Sequence, residues 1–265
     1  MQISSITVYP IKSLGGVSLQ SATLEPQGLQ FDRRWMLIDP EEKKFLTQRQ
    51  LPEMALLRME IGAHSLVLSH LTQKVSALEV PLNPSGGEEF MATVWNDTLP
   101  VESCGKDAAQ WFSDLLGRPL ELVYMPRVEE RSVKGKYAPM GSSLSLADRS
   151  PYLIIGQSSL DDLNTRLDTP VPMDRFRPNF VFEGGEAYAE DTWKSLKIGE
   201  NAFHCGGPCG RCKVITIDQN TAEKGNEPFA TLATYRRPEK SILFGQMLML
   251  LNGEMVTVGD KLDTV

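Results

Sequence analysis

The stretch Cys205-Gly206-Gly207-Pro208-Cys209-Gly210-Arg211-Cys212-Lys213 holds three of the four cysteines of the chain and leads into the apolar residues Val214, Ile215 and Ile217. Clustered thiolates are soft ligands for metals, and glycines let a backbone approach a ligand closely. An arginine between cysteines supplies a fixed cation, which favours a thiolate or binds an anion. The pattern therefore predicts a thiol-bearing loop that leads directly into a strand and serves a cofactor.

Three interpretations of these thiols stay open from spacing alone. The spacing Cys205-x3-Cys209-x2-Cys212 matches the pattern that holds an iron–sulfur cluster in radical-SAM enzymes, but only residues 213–265 follow it, and a barrel needs roughly 200 residues or more. His204 could complete a four-ligand zinc set, although its adjacency to Cys205 fits one tetrahedron poorly. The third interpretation is a set of buried free cysteines without a ligand.

Composition sets the broad class of the protein. The chain has 265 residues, 41% of them apolar, and a formal net charge of -7. At roughly 150 residues per domain, this length predicts about two domains with a sizeable core. The negative charge argues against a nucleic-acid partner, and no apolar run approaches the roughly 20 residues of a membrane span. The start of the chain lacks signal-peptide features, and the cysteines do not suggest a disulfide framework, so we expect a cytoplasmic protein.

Short runs of alternating apolar residues dominate the first half of the chain and predict strands. One helix, 106–116, interrupts them and should end at Gly117. The second half should mix strands with two helices, one of them N-capped by Ser158. The predicted strands are 3–11, 35–39, 46–50, 55–61, 66–69, 91–95, 99–102, 121–125, 152–156, 180–182, 193–198 and 254–262. The segment 243–251 is strongly apolar, and the last helix lies in 227–237. These elements predict a β-rich α+β fold.

A long segment without periodicity, 126–149, separates the two halves. Segments of this length are usually functional or disordered. This one carries Arg127, Arg131, Lys134, Lys136 and Arg149, so it is either a lid over a site or a solvated connector.

Several basic residues fall at predicted strand ends, next to Asp, Asn or Gly. Each one alone is more often a surface charge or half of an ion pair. Together they suggest a pocket for a large, multiply charged anion. The set comprises Lys12, Arg33, Arg175, Arg177 and Arg211. No phosphate loop, dinucleotide fingerprint or flavin signature accompanies them.

An ordered series of motifs resembles MOSC-domain proteins that carry an N-terminal β-barrel region, and it is similar to the mitochondrial amidoxime-reducing component and its bacterial relatives. The resemblance covers nearly the whole chain. The motifs are Tyr9-Pro10-Ile11-Lys12-Ser13, Asp32-Arg33, Trp35, Thr47-x-Arg49, Asp148-x-Ser150-Pro151, Phe176-Arg177-Pro178-Asn179, Tyr188-x-Glu190-Asp191-x-Trp193, Cys209-x-Arg211-Cys212, Thr216-x-Asp218 and Leu243-Phe244-Gly245-Gln246.

The resemblance implies an N-terminal strand-rich, β-barrel-like domain over 1–125 and a C-terminal MOSC β-barrel with a few flanking helices over 126–265. It also implies a molybdenum cofactor, a pterin dithiolene that bears a phosphate. By motif, Cys212 is its metal ligand and the catalytic cysteine, whereas Cys205 lies outside the family pattern. The positions that match cofactor-binding residues of the family are Lys12, Ser13, Arg33, Arg149, Ser150, Arg177, Asn179, Gly210 and Arg211.

Members of this family reduce small N-hydroxylated compounds such as amidoximes and hydroxylamines by two electrons. The sequence lacks the C-terminal ferredoxin domain of some relatives, so we expect a separate electron donor of the ferredoxin, flavoprotein or cytochrome type. Met247 stands where some relatives carry a tyrosine. The alternative function is a module that binds or carries the molybdenum cofactor, or transfers sulfur to it, without turnover of its own. No pyridoxal-lysine region is present, which argues against a whole sulfurase and for a pyridoxal phosphate-independent protein.

Overall fold

The computed structural model of the chain describes residues 1–126, 131–133 and 142–264. Much of the segment predicted as a lid or connector, including Arg127, Lys134 and Lys136, lies outside the described residues.

Twelve strands are formed by residues 1–126. In chain order they are β1 (Gln2–Val8), β2 (Val17–Leu19), β3 (Ser21–Glu25), β4 (Gly28–Leu29), β5 (Trp35–Asp39), β6 (Lys44–Phe45), β7 (Leu57–Ile61), β8 (Ser65–His70), β9 (Leu78–Pro81), β10 (Glu89–Val94), β11 (Asp97–Ser103) and β12 (Glu121–Tyr124). Helix α1 (Lys106–Leu116) precedes β12, and a short 3-10 helix covers Pro52–Leu56.

Seven strands and two α-helices are formed by residues 142–264. The strands are β13 (Tyr152–Gly156), β14 (Phe180–Glu183), β15 (Ser195–Ile198), β16 (Asn201–Arg211), β17 (Ile242–Asn252), β18 (Met255–Thr257) and β19 (Leu262–Thr264). The helices are α2 (Gln157–Asn164) and α3 (Phe229–Tyr235), and the 3-10 helices are Met173–Arg175, Ala189–Thr192 and Lys213–Thr216. The fold is thus α+β and rich in strands, as the sequence predicts.

A closed barrel of five strands lies in the first half, in the order β10-β11-β12-β5-β6. Strand β5 is buried over Trp35–Ile38, which explains why its sequence is continuously apolar. Strand β10 alternates instead, with Ala92 and Val94 buried in the same cluster as Met36 and Ile38. The barrel therefore has a hydrophobic core of its own. Its β10–β11 turn lies outside that core and can contact another part of the chain.

The largest sheet has eight strands in the order β19-β15-β16-β17-β13-β14-β1-β2. Strand β1 pairs antiparallel with β14, with Ile6 opposite Phe180, although the two are far apart in sequence. Phe180 also stacks near Tyr152, with ring centroids 5.7 Å apart. Burying one such aromatic side chain contributes about 1.5–3 kcal/mol. This core fixes the loop that follows β1 beside the ends of β14 and β16.

The predicted thiol loop is wrong in its secondary structure. Residues up to Arg211 belong to strand β16, and Lys213–Thr216 forms a 3-10 helix where a strand was predicted. The register between β16 and β17 shifts twice around Pro208, and Gly207 adopts a φ of 95°. Such bulges let a glycine- and proline-rich stretch stay paired while it bends toward a site.

Two other local predictions are also corrected. The hairpin partner of β5 is β6 (Lys44–Phe45), earlier than the predicted segment 46–50, of which Leu46 alone bonds to β5, through its amide to the carbonyl of Leu37 at 2.8 Å. Thr47 and Gln50 instead close a turn through a hydrogen bond from the Thr47 amide to Gln50 Oε1 at 3.1 Å. Ser158 does not cap α2, which begins one residue earlier with Gly156 as its N-cap. Its Oγ instead donates to the carbonyl of Gly185 at 2.7 Å.

Candidate functional site

A cleft of about 460 Å³ lies between the five-stranded barrel and the eight-stranded sheet. The turn after β1, the loop before β13, the segment before β14, the end of β16 and the β10–β11 turn all contribute to its wall. The structure brings all ten sequence-predicted positions to this one cleft: Lys12, Ser13, Arg33, Arg149, Ser150, Arg177, Asn179, Gly210, Arg211 and Cys212. Arg175 does not line it and forms an ion pair with Asp218 at 2.6 Å instead.

The cleft is strongly cationic within an acidic protein. The described lining has two carboxylates, and each already has a cationic partner: Asp97 accepts from Arg131 at 2.7 Å, and Asp148 from Lys12. Seven basic residues line the cleft, namely Lys12, Arg33, Arg49, Arg131, Arg149, Arg177 and Arg211. This excess of positive charge favours an anionic ligand with more than one charge.

Lys12 and Asp148 form an ion pair on the cleft wall. Lys12 is only 5% exposed, and its Nζ also donates to the carbonyl of Leu146 at 2.7 Å. Burial lowers the pKa of Lys12, and Asp148 partly offsets this effect. Burial alone would raise the pKa of Asp148, but Lys12 and the Nε1 of Trp95, which donates at 2.9 Å, hold that pKa below its usual range. Asp148 is therefore ionised throughout the neutral range and joins the sheet side of the cleft to the barrel side.

Four of the non-glycine residues with positive φ line this cleft: Ser13 at 69°, Arg33 at 48°, Trp95 at 56° and Arg177 at 56°. Such backbone conformations are unfavourable for side-chain-bearing residues and persist only where the surroundings impose them. Backbone strain is therefore concentrated in the residues that line the cleft.

Asn179 and Ser150 line the cleft, but their polar groups also bond to the backbone. Asn179 donates Nδ2–H to Thr7 O and accepts from the Leu153 amide, both at 3.2 Å. Ser150 Oγ donates to the carbonyl of Leu248 at 2.7 Å. Both residues therefore join neighbouring strands at the base of the cleft.

The end of β16 presents the arginine of the cysteine motif. Arg211 donates Nη2–H to the carbonyl of Phe176 at 2.6 Å and Nη1–H to the Sγ of Cys209 at 3.4 Å. A Cβ at Gly210 would lie 3.3 Å from Nη1 of Arg149, so the glycine leaves room for that guanidinium.

Two buried guanidinium nitrogens of the cleft, Nε of Arg211 and Nη2 of Arg177, have no hydrogen-bond partner among the described residues. Buried donors are normally satisfied. The donor set therefore fits an anionic group such as a phosphate.

The three clustered thiols occupy different environments. Cys205 is buried in the apolar core beside the eight-stranded sheet, and burial raises its pKa to about 12, so it stays a thiol. Cys209 is half-buried, and Cys212 is exposed at the cleft. Within the described ranges, which include His204 and all four cysteines, no three His, Cys, Asp or Glu side chains form a group that could hold a metal ion. The donor geometry thus supports neither the three-cysteine cluster nor the His204 zinc site.

Three lining residues of the barrel side, Arg49, Trp95 and Asp97, are not among the sequence-predicted site positions, and Arg131, which the sequence analysis names only in the segment 126–149, lines the cleft as well. Arg49 could have been predicted as a site residue, because it lies in the Thr47-x-Arg49 motif of the family resemblance. Trp95 and Asp97 carry no sequence signal, because a turn residue gives no indication of which distant surface it will meet. Arg131 braces the cleft loop by donating Nη1–H to the carbonyls of Ser145 and Ala147 at 2.9 and 2.6 Å.

Comparisons with known proteins match this architecture. The MOSC N-terminal beta barrel domain matches residues 1–119, and the MOSC domain matches residues 141–263. The chain belongs to the MOSC-domain family. Human mitochondrial amidoxime-reducing component 1 is 32% identical over 276 residues, which cover 97% of this chain and 81% of that protein. The mouse protein of the same name is 33% identical and covers 97% and 80%.

A second group of relatives consists of molybdenum cofactor sulfurases. The rice protein (Oryza sativa subsp. japonica) is 35% identical over 285 residues, which cover 98% of this chain and 34% of that protein. The chain thus spans about a third of the length of the plant sulfurases it matches. Both groups of relatives are associated with the molybdenum cofactor. No helix in the described part of the chain is both long enough and apolar enough to cross a membrane.

Proposed function

We propose that this chain binds the molybdenum cofactor in the cationic cleft and reduces small N-hydroxylated compounds, such as amidoximes and hydroxylamines. The observation that carries the proposal is the combination of an exposed thiol, Cys212, with unpartnered buried guanidinium nitrogens of Arg177 and Arg211 in one cleft. A soft metal ligand and a phosphate-binding set are the two features that a pterin dithiolene bearing a phosphate requires.

Each side chain has a definable task in this proposal. Cys212 would ligate the metal through Sγ, since the thiolate is the soft donor of the cleft. The guanidiniums of Arg33, Arg177 and Arg211 and the ammonium of Lys12 would bind the pterin and its phosphate. Ser13, Arg149, Ser150, Asn179 and Gly210 complete the wall around it. When bound, the cofactor would supply the two-electron chemistry that removes oxygen from an N–O bond.

Protons for the reduction would come from solvent. Asp148 is held ionised by Lys12 and Trp95, so it cannot serve as a general acid near neutral pH. The side chains of the cleft therefore orient the ligands and stabilise charge.

Electrons would come from a separate ferredoxin, flavoprotein or cytochrome-type protein, since the sequence carries no flavin or dinucleotide motif. The proposal places the protein in the cytoplasm, where free thiols persist. All four cysteines are free in the structure.

The relatives among sulfurases favour one alternative, a module that binds or carries the cofactor, or transfers sulfur to it, without turnover of its own. Incubating purified, cofactor-loaded protein with benzamidoxime and a chemically reduced viologen dye separates the two functions. Benzamidine formation that requires loaded protein supports the reductase. Stoichiometric cofactor without any product would support the carrier.

A further inference from the structure

Tyr9 contacts two arginines of the cleft with the same ring. The guanidinium carbons of Arg33 and Arg177 each lie 4.3 Å from the centroid of the Tyr9 ring. The two guanidiniums are therefore separated by no more than twice that distance. Stacking of a guanidinium on an aromatic face is attractive because the face of the ring carries negative charge density.

The backbone also ties Tyr9 to one of these arginines. The amide of Arg33 donates to the carbonyl of Tyr9 at 2.9 Å. The amide of Tyr9 donates to Oδ1 of Asp32 at 2.8 Å, while Oδ2 of the same buried carboxylate accepts from Arg33 Nη1 at 2.6 Å. Tyr9, Asp32 and Arg33 are therefore linked by hydrogen bonds, and the carboxylate of Asp32 balances the charge of the Arg33 guanidinium.

Arg177 has a different electrostatic situation. Burial lowers its pKa to about 10, and no carboxylate among the described residues pairs with it. Its Nη1 donates to the carbonyl of Leu14 at 2.6 Å, and its Nη2 is the buried nitrogen without a partner. Besides this hydrogen bond, the cation contacts the ring of Tyr9, and the carboxylates of Asp32 and Asp148 attract it from beyond ion-pair distance.

We propose that Tyr9 is a positioning residue that holds the guanidiniums of Arg33 and Arg177 together to receive one anionic group of the ligand. Both arginines adopt positive φ, a backbone conformation that is unfavourable for residues with a side chain. Contacts with the surrounding residues must therefore hold their side chains in place. Arg33 also donates Nη2–H to the carbonyl of Arg177 at 3.2 Å, which ties it to the backbone of Arg177. Without the ring, the guanidinium of Arg177 loses the contact that holds it beside the guanidinium of Arg33.

The phenol hydroxyl is not required for this role. Burial raises the pKa of Tyr9 to about 12, so the side chain is neutral under working conditions and offers no charge to the arginines. The aromatic face alone carries the effect, and phenylalanine supplies the same face.

The inference rests on the proposed cofactor site, and its test compares three variants of the full chain produced under identical conditions. Tyr9→Leu removes the aromatic face, and Tyr9→Phe keeps it. Phe182→Leu is the matched control, because Phe182 is a fully buried aromatic of the same sheet whose ring contacts Trp193 and neither arginine. Two quantities are measured. One is the amount of bound pterin per folded chain, and the other is the affinity of cofactor-free protein for inorganic pyrophosphate.

We expect Tyr9→Leu to weaken pyrophosphate binding about tenfold, as the loss of two cation–π contacts implies, and to lower pterin content in parallel. Tyr9→Phe and Phe182→Leu should stay within about twofold of the native chain. Native-like pyrophosphate binding by Tyr9→Leu, or an equal loss in Tyr9→Phe or Phe182→Leu, overturns the inference. If the native chain itself takes up no pterin under molybdenum-replete expression, the proposed function fails, whereas the pyrophosphate comparison still decides the role of Tyr9.

Discussion

Arg211 donates an Nη1–H to the sulfur of Cys209 at 3.4 Å, and Cys209 stands three residues before the exposed thiol of Cys212. The thiol of Cys209 is therefore engaged with the arginine that also fixes the carbonyl of Phe176. Cys212 follows the last residue of β16 and is exposed at the open cleft. This arrangement distinguishes two cysteines that spacing alone presents as equivalent candidates.

Replacing Cys212 with serine should remove most amidoxime reduction. The change substitutes a hard oxygen for a soft thiolate, which alters the redox properties of a bound metal. The arginines proposed to bind the phosphate do not depend on Sγ of Cys212, so pterin content should be partly retained. Activity and pterin content of the same preparation check this. A fully active Cys212→Ser protein would show that another cysteine is the ligand.

Replacing Cys209 with serine should cost far less, because a hydroxyl can still accept the Arg211 hydrogen bond. Cys205→Ser should keep activity and lower stability by roughly 1–3 kcal/mol, since it places a hydroxyl in an apolar core. Chemical denaturation and amidoxime turnover measure both effects. Equal, near-complete loss of cofactor in all three single variants would contradict the molybdenum proposal and favour the iron–sulfur cluster, in which all three thiolates are ligands.

Native purified protein should contain molybdenum and a pterin at up to one each per chain. The reason is the cationic cleft, whose donors fit a phosphate-bearing pterin. Elemental analysis, together with the fluorescence of the oxidised pterin, tests this. Iron with acid-labile sulfide, or stoichiometric zinc without pterin, would contradict it.

Purified protein alone should not oxidise NADH in the presence of an amidoxime, whereas reduced viologen should support turnover. The sequence has no dinucleotide or flavin motif that could accept a hydride. Spectrophotometry of NADH and product analysis under both conditions provide the measurement. Robust NADH oxidation coupled to substrate reduction by a homogeneous sample would refute a separate donor.

Asp148→Asn should destabilise the protein by about 1–2 kcal/mol at pH 7, because it leaves the buried ammonium of Lys12 without its anionic partner. The effect is small for a charged pair because the Asp148 side chain is 52% exposed and solvent screens its charge. The folded-state pKa of Asp148 is depressed, so its contribution is fully present above its unfolded value of about 4 and is lost as pH falls through the folded value. Unfolding free energies of both proteins between pH 7 and pH 3 should converge toward the acid end. A constant difference across that range would show that the ion pair is not its source.

Local signals predicted some elements well. Helix α1 begins and ends where the sequence indicates, because Gly117 terminates it with a φ of 68°. Strand β13 likewise has its predicted bounds, since Tyr152–Gly156 is a compact apolar run. Here the determinants lie within the element itself, so the sequence suffices.

Pairing between distant segments was not predictable in the same way. Strand β16 extends through Gly206 and Gly207 only because β17 lies beside it and accepts the bulges. Trp95 lines the cleft because the five-stranded barrel packs beside the eight-stranded sheet at this point. The identity of one turn residue does not indicate which distant surface the barrel will contact. The ten site positions were predicted through a resemblance between whole motifs, and the geometry adds which of them have polar groups bonded to the backbone, as in Asn179 and Ser150.

Strand β1 completes the large sheet by pairing with residues near the middle of the second half; the hydrogen bond from Ser4 to Val181 spans 177 positions. During synthesis at about 5–20 residues per second, β1 waits on the order of ten to forty seconds before β14 leaves the ribosome. Until then, the turn that carries Lys12 has β2 and Trp35 beside it but lacks β14 and β16. The cleft is therefore assembled late on the nascent chain, and any ligand must enter an almost finished fold.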